Sequence, residues 1–349
     1  MKARSLEILL WGDSVGFLAE TSRGITFEYN EKFKNKKIEI SPLEIPIEAT
    51  VEYSSDQMSS TFKGLPGIFA DSLPDAFGNK VINNFFFKSK GLLPKEITPL
   101  MRLAYINKRS IGALEYIPHI GYEEVGESVF NISELVDAAK KTLTGRGSEI
   151  AEEIMQVGSS AGGLKAKAVI DFNPRTHEIR AGFKEGEDGF VPSIIKFDGT
   201  MDGEEAGYYG RVEYVYNQIA REAGIEVSDF YLLRSSSEVG SEPDAYHFIS
   251  SRFDRNSKKE KLYHQATYCG LTLRDYKQKN SSSCEDLLRT IYGLCEGGMR
   301  DVEEGLRRCI FNIVMKNQDD HTKNFAFLLK EGKPWELAPA YDVCYSYDP

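Results

Sequence analysis

Apolar residues recur at two different periods along this chain, and the changes of period divide it into three stretches. From Ser5 to about Thr61 the hydrophobic runs are short (6–10, 24–29 and 37–41) and broken by Gly, Asn and Pro, which predicts a small sheet or partial barrel. Between 68 and 105 the positions Phe69, Leu73, Phe77, Val81 and Phe85 fall four apart and predict helix, with Pro74 limiting where it can begin. The triplet Phe85-Phe86-Phe87 is expected in the core. A polar, glycine-containing segment at 121–127 marks a first boundary, and Ser133 then opens a helix running to Leu143. Strand-like runs at 168–170 and 193–197 flank a polar hairpin around Asn173 and Pro174. A helical stripe of Val212, Val215, Tyr216, Ile219 and Ala220 ends at Gly224, and strands at 245–253 and 262–267 follow across a charged turn. The last unit reads as helical: 284–294 after a Ser281-Ser282-Ser283 cap, and 302–315 burying Val302, Leu306, Ile310, Ile313 and Val314. These patterns predict an α+β chain with a β-rich and helical unit at 1–125, a second unit at 126–255 and a mainly helical one at 256–349.

Composition narrows the class without naming it. With 349 residues, 41% apolar and 28% charged, the chain can hold two or three domains around a sizeable core and does not resemble a disordered one. Five cysteines, an odd number with no C-x-x-C pair, argue against a disulfide framework and fit a reducing cytoplasm. There is no run of 18 apolar residues, and acidic and polar residues follow the start too soon for a signal peptide, so no membrane role is expected. A net charge of −10 disfavours a self-sufficient nucleic-acid binder and leaves room for DNA contact through a partner.

The candidate chemistry concentrates in Asn317-Gln318-Asp319-Asp320-His321-Thr322-Lys323-Asn324 and in Tyr341-Asp342-Val343. Asp319 and Asn324 stand five apart, the spacing of the D-x-x-x-x-N catalytic loop of protein kinases, and Asp342 is placed to serve as the second metal-binding carboxylate. Hard oxygen donors of this kind suit Mg²⁺ and phosphates better than zinc. The spacing alone is weak, because Asp and Asn are common in loops. Upstream, Gly162 and Gly163 would let backbone N–H groups approach phosphate oxygens with no Cβ in the way, while Lys165 and Lys167 add charge. Leu164 breaks the G-x-x-x-x-G-K-[ST] pattern and excludes a P-loop NTPase; read alone, the stretch is an ordinary turn. Lys196, near the end of an apolar strand, stands where a kinase grips phosphate, and Glu213 on the next helix could pair with it. The plainer alternatives are an edge-strand lysine reaching solvent and a solvated helix face.

The order of these pieces resembles the HipA-type serine/threonine toxin kinases. The loop reads like their N-x-D-x-H-x-K-N segment, 337–343 like the segment that follows it, and Ser160-Ala161-Gly162-Gly163-Leu164-Lys165-Ala166-Lys167-Ala168 like their glycine-rich phosphate loop. Arg252-Phe253-Asp254-Arg255 resembles the turn after their adenine-contacting hinge, and His264-Gln265 begins a recurrent H-Q motif. Residues 67–75 and 111–116 match in the N-terminal third, so the ordered motifs span 67–343. The resemblance implies a two-lobed kinase-like fold: an N-terminal β-rich subdomain, an ATP-binding α/β lobe and a helical C-terminal lobe. It implies ATP and Mg²⁺ as cofactors, with Asp319 orienting a substrate hydroxyl and accepting its proton, and Asn324 and Asp342 holding the metal. His321 would join Asp319 as a catalytic residue contacting the phosphate, Tyr341 would lie at the nucleotide, and Lys323 would either neutralise phosphate or pair with Asp320. Ser251, Arg252 and Phe253 would meet adenine through backbone groups. Ser160 matches the serine that family members autophosphorylate; a phosphate there would add roughly −2 charge and expel the loop from its nucleotide-bound pose. The implied partners are a small helix-turn-helix antitoxin (HipB-like), DNA only through that antitoxin, and a protein substrate such as an aminoacyl-tRNA synthetase.

Two departures from the family pattern stand out. Ala266-Thr267 follow His264-Gln265 where acidic residues are usual, and the chain stops at Pro349, where a further helical segment is expected to complete the catalytic lobe. The leading expectation is an ATP- and Mg²⁺-dependent serine/threonine protein kinase able to phosphorylate itself. A catalytically weak, nucleotide-binding regulatory module acting with an antitoxin–DNA complex is the alternative. A metal-dependent phosphohydrolase is disfavoured, because one histidine is few for a dinuclear site and the glycine loop and Lys196 would be idle.

Overall fold

The computed structural model describes residues 4–48, 51–53, 59–121, 129–144, 166–181, 189–200, 208–236, 244–256 and 263–347. Ser160, Gly162, Gly163 and Lys165 lie outside the described residues. Three antiparallel sheets organise the rest. The first has the order β4-β3-β2-β1-β5, from Ser5–Leu10 (β1), Asp13–Thr21 (β2), Gly24–Tyr29 (β3), Val51–Tyr53 (β4) and Leu114–Ile117 (β5). The second has the order β10-β11-β9-β7-β8-β6, from Val129–Phe130 (β6), Lys167–Phe172 (β7), Ile179–Ala181 (β8), Val191–Lys196 (β9), Phe230–Ser235 (β10) and Ala245–Ser251 (β11). The third, β12-β13-β14, is built from Tyr263–Thr267, Ala326–Lys330 and Trp335–Leu337.

Alternation explains the first sheet. Leu6, Ile8 and Leu10 of β1 face inward with Ile25, Phe27 and Tyr29 of β3, and Phe27 packs on Phe69 with ring centroids 4.9 Å apart. The stretch 37–41 is a turn, not the expected strand; Lys37 takes a left-handed φ of 53° there, and β2 supplies the missing partner strand. The expected helix at 68–105 is broken into three. Glu31–Lys34 (α1) precedes it, then Gly67–Ala70 (α2), Ala76–Lys90 (α3) and Pro99–Ile106 (α4). Asp71 to Pro74 interrupts because Pro74 cannot donate into a helix, and Asp75 restarts it by accepting from the Gly78 N–H at 2.7 Å. Phe69, Leu73, Phe77, Val81 and Phe85 are buried, and of the triplet Phe85 and Phe86 are core while Phe87 is exposed.

The second sheet carries Ile132–Thr144 (α5) and Tyr209–Glu222 (α6). Strand β7 is buried at every position, as a strand covered on both faces should be. The third stretch is less helical than expected, because β13 and β14 add a hairpin to β12 alongside Tyr268–Thr272 (α7), Cys284–Leu294 (α8) and Met299–Val314 (α9). Ser283 and Asp286 close a capping box at the start of α8.

Two helix faces are turned from their expected orientation. On α6 the buried side is Gly210, Glu213, Asn217 and Ala220, and Val215 is exposed. On α9 the buried residues are Asp301, Gly305, Arg308, Cys309 and Phe311, whereas Leu306, Ile310, Ile313 (74% exposed) and Val314 (69% exposed) face outward. In both cases paired polar groups take the inner positions. Glu213 and Arg308 each hold a partner inside, and a stripe of apolar spacing cannot report that.

Candidate active site

Strands β7 and β9 bring two lysines side by side, since Lys167 and Lys196 are cross-strand partners. Helix α6 delivers Glu213 to the same place, because Gly210 lets its first turn lie directly on β11. A Cβ at Gly210 would overlap the Tyr246 carbonyl oxygen and come within 2.8 Å of its carbon. The Lys196 ammonium thus bridges Glu213 and Asp342, donating to both carboxylates. Burial pulls that ammonium down, but the Asp342 and Glu213 carboxylates more than reverse the effect and hold it charged well above its usual range. For Asp342, burial pushes the carboxyl up, and Lys196, Lys167 and His321 together bring it down to about 2. Asp342 is ionised and keeps about a third of its side-chain surface (32%) open. Its backbone is left-handed, φ 53°, a strained conformation that aspartate tolerates better than most residues.

The backbone on either side of Asp342 is pinned. Asn217 on α6 donates to the Glu213 carbonyl at 2.8 Å and the Val343 carbonyl at 3.3 Å. Asn317 donates to Asn312 Oδ1 at 3.1 Å, and Ser346 pairs with the loop entrance by accepting from the Gln318 N–H at 3.0 Å. Neither asparagine role was read from the sequence. For Asn217 the available sign was an amide one helical turn after Glu213.

The loop 317–324 is held compactly. Asn324 donates to the Asp319 carbonyl at 2.6 Å, and its own N–H donates to the His321 carbonyl at 2.9 Å. The Asp319 side chain is 63% exposed, with Oδ1 3.5 Å from His321 Nε2. His321 rests against Tyr276 with ring centroids 5.0 Å apart, and its Nδ1 is buried with no hydrogen-bond partner. Tyr341 donates to the Lys323 carbonyl at 2.5 Å and faces the Phe253 ring with centroids 6.3 Å apart. The Lys323 ammonium lies 5.3 Å from the centre of the Tyr276 ring.

Lys167 is buried 4.0 Å from Asp75, the cap of α3. Burial draws the Lys167 ammonium below its usual value against the pull of Asp342, with Lys196 adding to the depression. At 251–255 two backbone donors are already engaged: Ser251 N–H to the Asp229 carbonyl at 2.7 Å and Arg252 N–H to the Pro192 carbonyl at 2.8 Å. The Arg252 guanidinium is buried in a two-pronged pair with Asp254, which also accepts from the Gly112 N–H at 2.7 Å. Arg255 donates to the Gly112 and Ser110 carbonyls, at 3.3 and 3.2 Å. The side chains of this turn tie the second sheet to the first rather than reaching a ligand. His264 is likewise a buried stitch, its Nε2 donating to the Ile40 carbonyl at 2.9 Å.

The donor set fits a hard cation that brings some of its own ligands. Asp342 is an ionised, partly open carboxylate beside the loop that carries Asn324. Among the described residues no group of three or more His, Cys, Asp and Glu gathers to cage a metal unaided.

Comparison with known proteins agrees on one family. Residues 6–117 match the model described as HipA N-terminal domain, and 159–349 match the HipA-like C-terminal domain. A Haemophilus influenzae protein with a provisional name as a kinase is 26% identical over 145 residues. The match takes in 40% of this chain and 42% of that protein, so the chain spans less than half of the curated relative's length. The solved HipA–HipB–operator DNA complex of Shewanella oneidensis MR-1 superposes with a TM-score of 0.67 at 18% identity, covering 97% of this chain and 76% of that one. The Helicobacter pylori kinase CtkA covers 44% of this chain and 50% of its own at a TM-score of 0.28, too low to carry an argument.

Proposed function

The chain belongs to the HipA family and has its α+β, two-lobed, kinase-like fold, and from that premise we propose that it is an ATP- and Mg²⁺-dependent serine/threonine protein kinase. The observation that carries this reading is the Lys196 ammonium held between Glu213 and Asp342 beside the 317–324 loop. An ammonium has three donors. Two are engaged here, which leaves one for a phosphate oxygen, and the paired carboxylates keep the charge fixed in place. Asp319 accepts the proton of the substrate hydroxyl; its exposure leaves it reachable by a protein side chain. His321 offers a ring already positioned by Tyr276 to the transferred phosphate. Asn324 and Asp342 would hold Mg²⁺, which neutralises charge on the phosphates. Phe253 and Tyr341 would border the base. Gly162, Gly163, Lys165 and Lys167 complete the phosphate cradle in this reading, with Ser160 as the self-modified serine, although Lys167 acts from a buried position against Asp75.

The partner proposed is a small helix-turn-helix antitoxin, through which alone DNA is met, in the cytoplasm; no helix among the described residues is long and apolar enough to cross a membrane. The test is incubation with Mg²⁺ and radiolabelled ATP, wild type beside Asp319→Ala, followed by mass mapping. Label near Ser160 or on an added protein, lost in the variant, supports the kinase. Tight ATP binding without any transfer would replace it with a nucleotide-binding regulatory module.

A further inference from the structure

Cys284 and Cys309 meet across the α8–α9 hairpin, and the scheme above gives neither a task. Only residues 295–298 separate the two helices, which pack side by side and antiparallel. Their register is set at Gly305, where a Cβ would come 2.5 Å from Ile291 Cδ1 and 3.1 Å from Leu288 Cδ2. Cys284 lies one turn before Leu288 on α8, and Cys309 lies one turn after Gly305 on α9. Antiparallel helices step in opposite directions from a contact, so the register that seats Leu288 on Gly305 also brings the two thiols together. They are hydrogen-bonded to each other. Cys309 is 3% exposed and packs in the same core as Leu287 and Ile291, whereas Cys284 is exposed. Cys269 and Cys295 are buried and Cys344 is half-buried, so an oxidant in solution reaches Cys284 first.

Both helices also hold the 317–324 loop. Asn312, one turn beyond Cys309, hydrogen-bonds the Asp320 carboxyl and accepts from Asn317 Nδ2 at 3.1 Å. At the start of α8, Asp286 accepts from Arg274 at 2.9 Å, and the Arg274 carbonyl accepts from the Thr322 hydroxyl at 2.8 Å. A change in the spacing of the two helices at the cysteines is therefore passed to the loop that carries Asp319 and Asn324.

We propose that Cys284 and Cys309 form a peroxide-sensitive dithiol whose disulfide displaces the 317–324 loop. The Cys284 sulfur attacks one oxygen of hydrogen peroxide and the O–O bond breaks. Cys284 becomes a sulfenic acid, and its thiol proton leaves with the departing hydroxide as water. The Cys309 sulfur then attacks the sulfenic sulfur. The S–S bond forms as the S–O bond breaks, and the Cys309 proton leaves with that hydroxide as a second water. The two thiols have given two electrons to the peroxide, and a small dithiol returns them. Burial and the neighbouring Cys284 push the Cys309 thiol up, which suits a group that stays unreactive until Cys284 is oxidised against it. A disulfide is about 2.05 Å long, far shorter than a contact between unbonded sulfurs. Closing it draws the Cys309 turn toward the start of α8, and the Asn312 support of the loop moves with it. The consequence for phosphate transfer rests on the kinase reading; the disulfide and the movement of the loop do not.

The test treats the full chain with hydrogen peroxide, removes the excess and digests it without reductant. Mass mapping should find the Cys284 and Cys309 peptides joined with the loss of two hydrogens, and dithiothreitol should separate them. Hydrogen exchange across 317–324 should differ between the reduced and oxidised chains. Phosphate transfer should fall by about tenfold or more on oxidation and return on reduction. Cys284→Ser, at an exposed position, should keep the thermal midpoint, form no joined pair and lose the response to peroxide. Cys309→Ser should leave Cys284 stalled as a sulfenic acid that dimedone traps. Absence of the joined pair, a peroxide response that survives in Cys284→Ser, or a joined pair with unaltered exchange at 317–324 would each overturn the proposal. A joined pair with altered exchange but no phosphate transfer in either state would keep the switch and remove the kinase.

Discussion

Replacing Gly210 by alanine separates the geometric account of the site from a purely compositional one. Inside a helix, Gly→Ala ordinarily stabilises by about 0.5–1 kcal/mol because glycine loses more backbone entropy on folding. At Gly210 the sign should reverse. The added Cβ would overlap the Tyr246 carbonyl oxygen and stand 2.8 Å from its carbon and 3.3 Å from the Phe248 nitrogen. Those are backbone atoms of β11 and cannot swing aside. Restoring an ordinary carbon–oxygen contact of roughly 3.3–3.6 Å requires the start of α6 to retreat by more than about 1 Å. Overpacking of this kind costs about 1–3 kcal/mol. Glu213 rides one turn further along the same helix, so its bond to Lys196 lengthens and the ammonium is left leaning on Asp342 alone. A misplacement of about 1 Å can cost on the order of 100-fold in turnover, and that is the expected loss in kcat/KM for phosphate transfer, with weaker ATP binding beside it. Gly293 on α8, which has nothing within 4 Å of a built Cβ, is the matched control and should gain stability on the same substitution. Denaturant midpoints and ATP titrations on the two variants decide the matter. If Gly210→Ala is as stable as Gly293→Ala and binds ATP normally, the close approach does not position Glu213.

Glu213→Gln should keep the fold yet reduce ATP affinity by tenfold or more, read by calorimetric titration, because Lys196 loses one of its two fixed anions. Asp254 is held at about 2, its burial outweighed by Arg252 and Arg255. A depressed carboxylate contributes stability that is present above the unfolded value near 3.8 and lost as pH falls through 2. Asp254→Asn should therefore cost about 2–3 kcal/mol at pH 7, and the gap to wild type should close in acid melts below pH 4. His247 and His264 are each depressed to about 4, burial being the main cause in both, so the unfolded chain binds protons first between 6.5 and 4. Stability should be full above pH 6.5 and decline by about 3 kcal/mol per histidine as pH falls to 4, and replacing either histidine by glutamine should remove its share of that slope in denaturant midpoints.

What could be read in the sequence was whatever is written in adjacent residues. Asp319, His321 and Asn324 share one loop, Lys196 ends an apolar strand and Glu213 follows on the next helix, so local order announces them. Hidden from the sequence was every decision made by a distant partner. Helix α6 turns Glu213 and Asn217 inward because Lys196 and the Val343 carbonyl wait there, and α9 turns Arg308 inward to reach the Ala338 carbonyl at 2.8 Å. An apolar stripe assumes that burial follows hydrophobicity, and a satisfied ion pair or amide breaks the assumption at little cost. The same limit hid the reach of the first sheet's unit toward the Lys196 site. Asp71 fastens the start of α7 through Thr267, and Asp75 faces Lys167, itself cross-strand neighbour to Lys196. These contacts join positions 92 to 196 residues apart in a chain whose motifs are all shorter than ten. A charge at Asp75 is felt at Lys167 and then at Asp342, which Lys167 helps to hold ionised. The N-terminal unit is thus part of the electrostatics of the site, and a substitution in it can change nucleotide binding without touching the nucleotide.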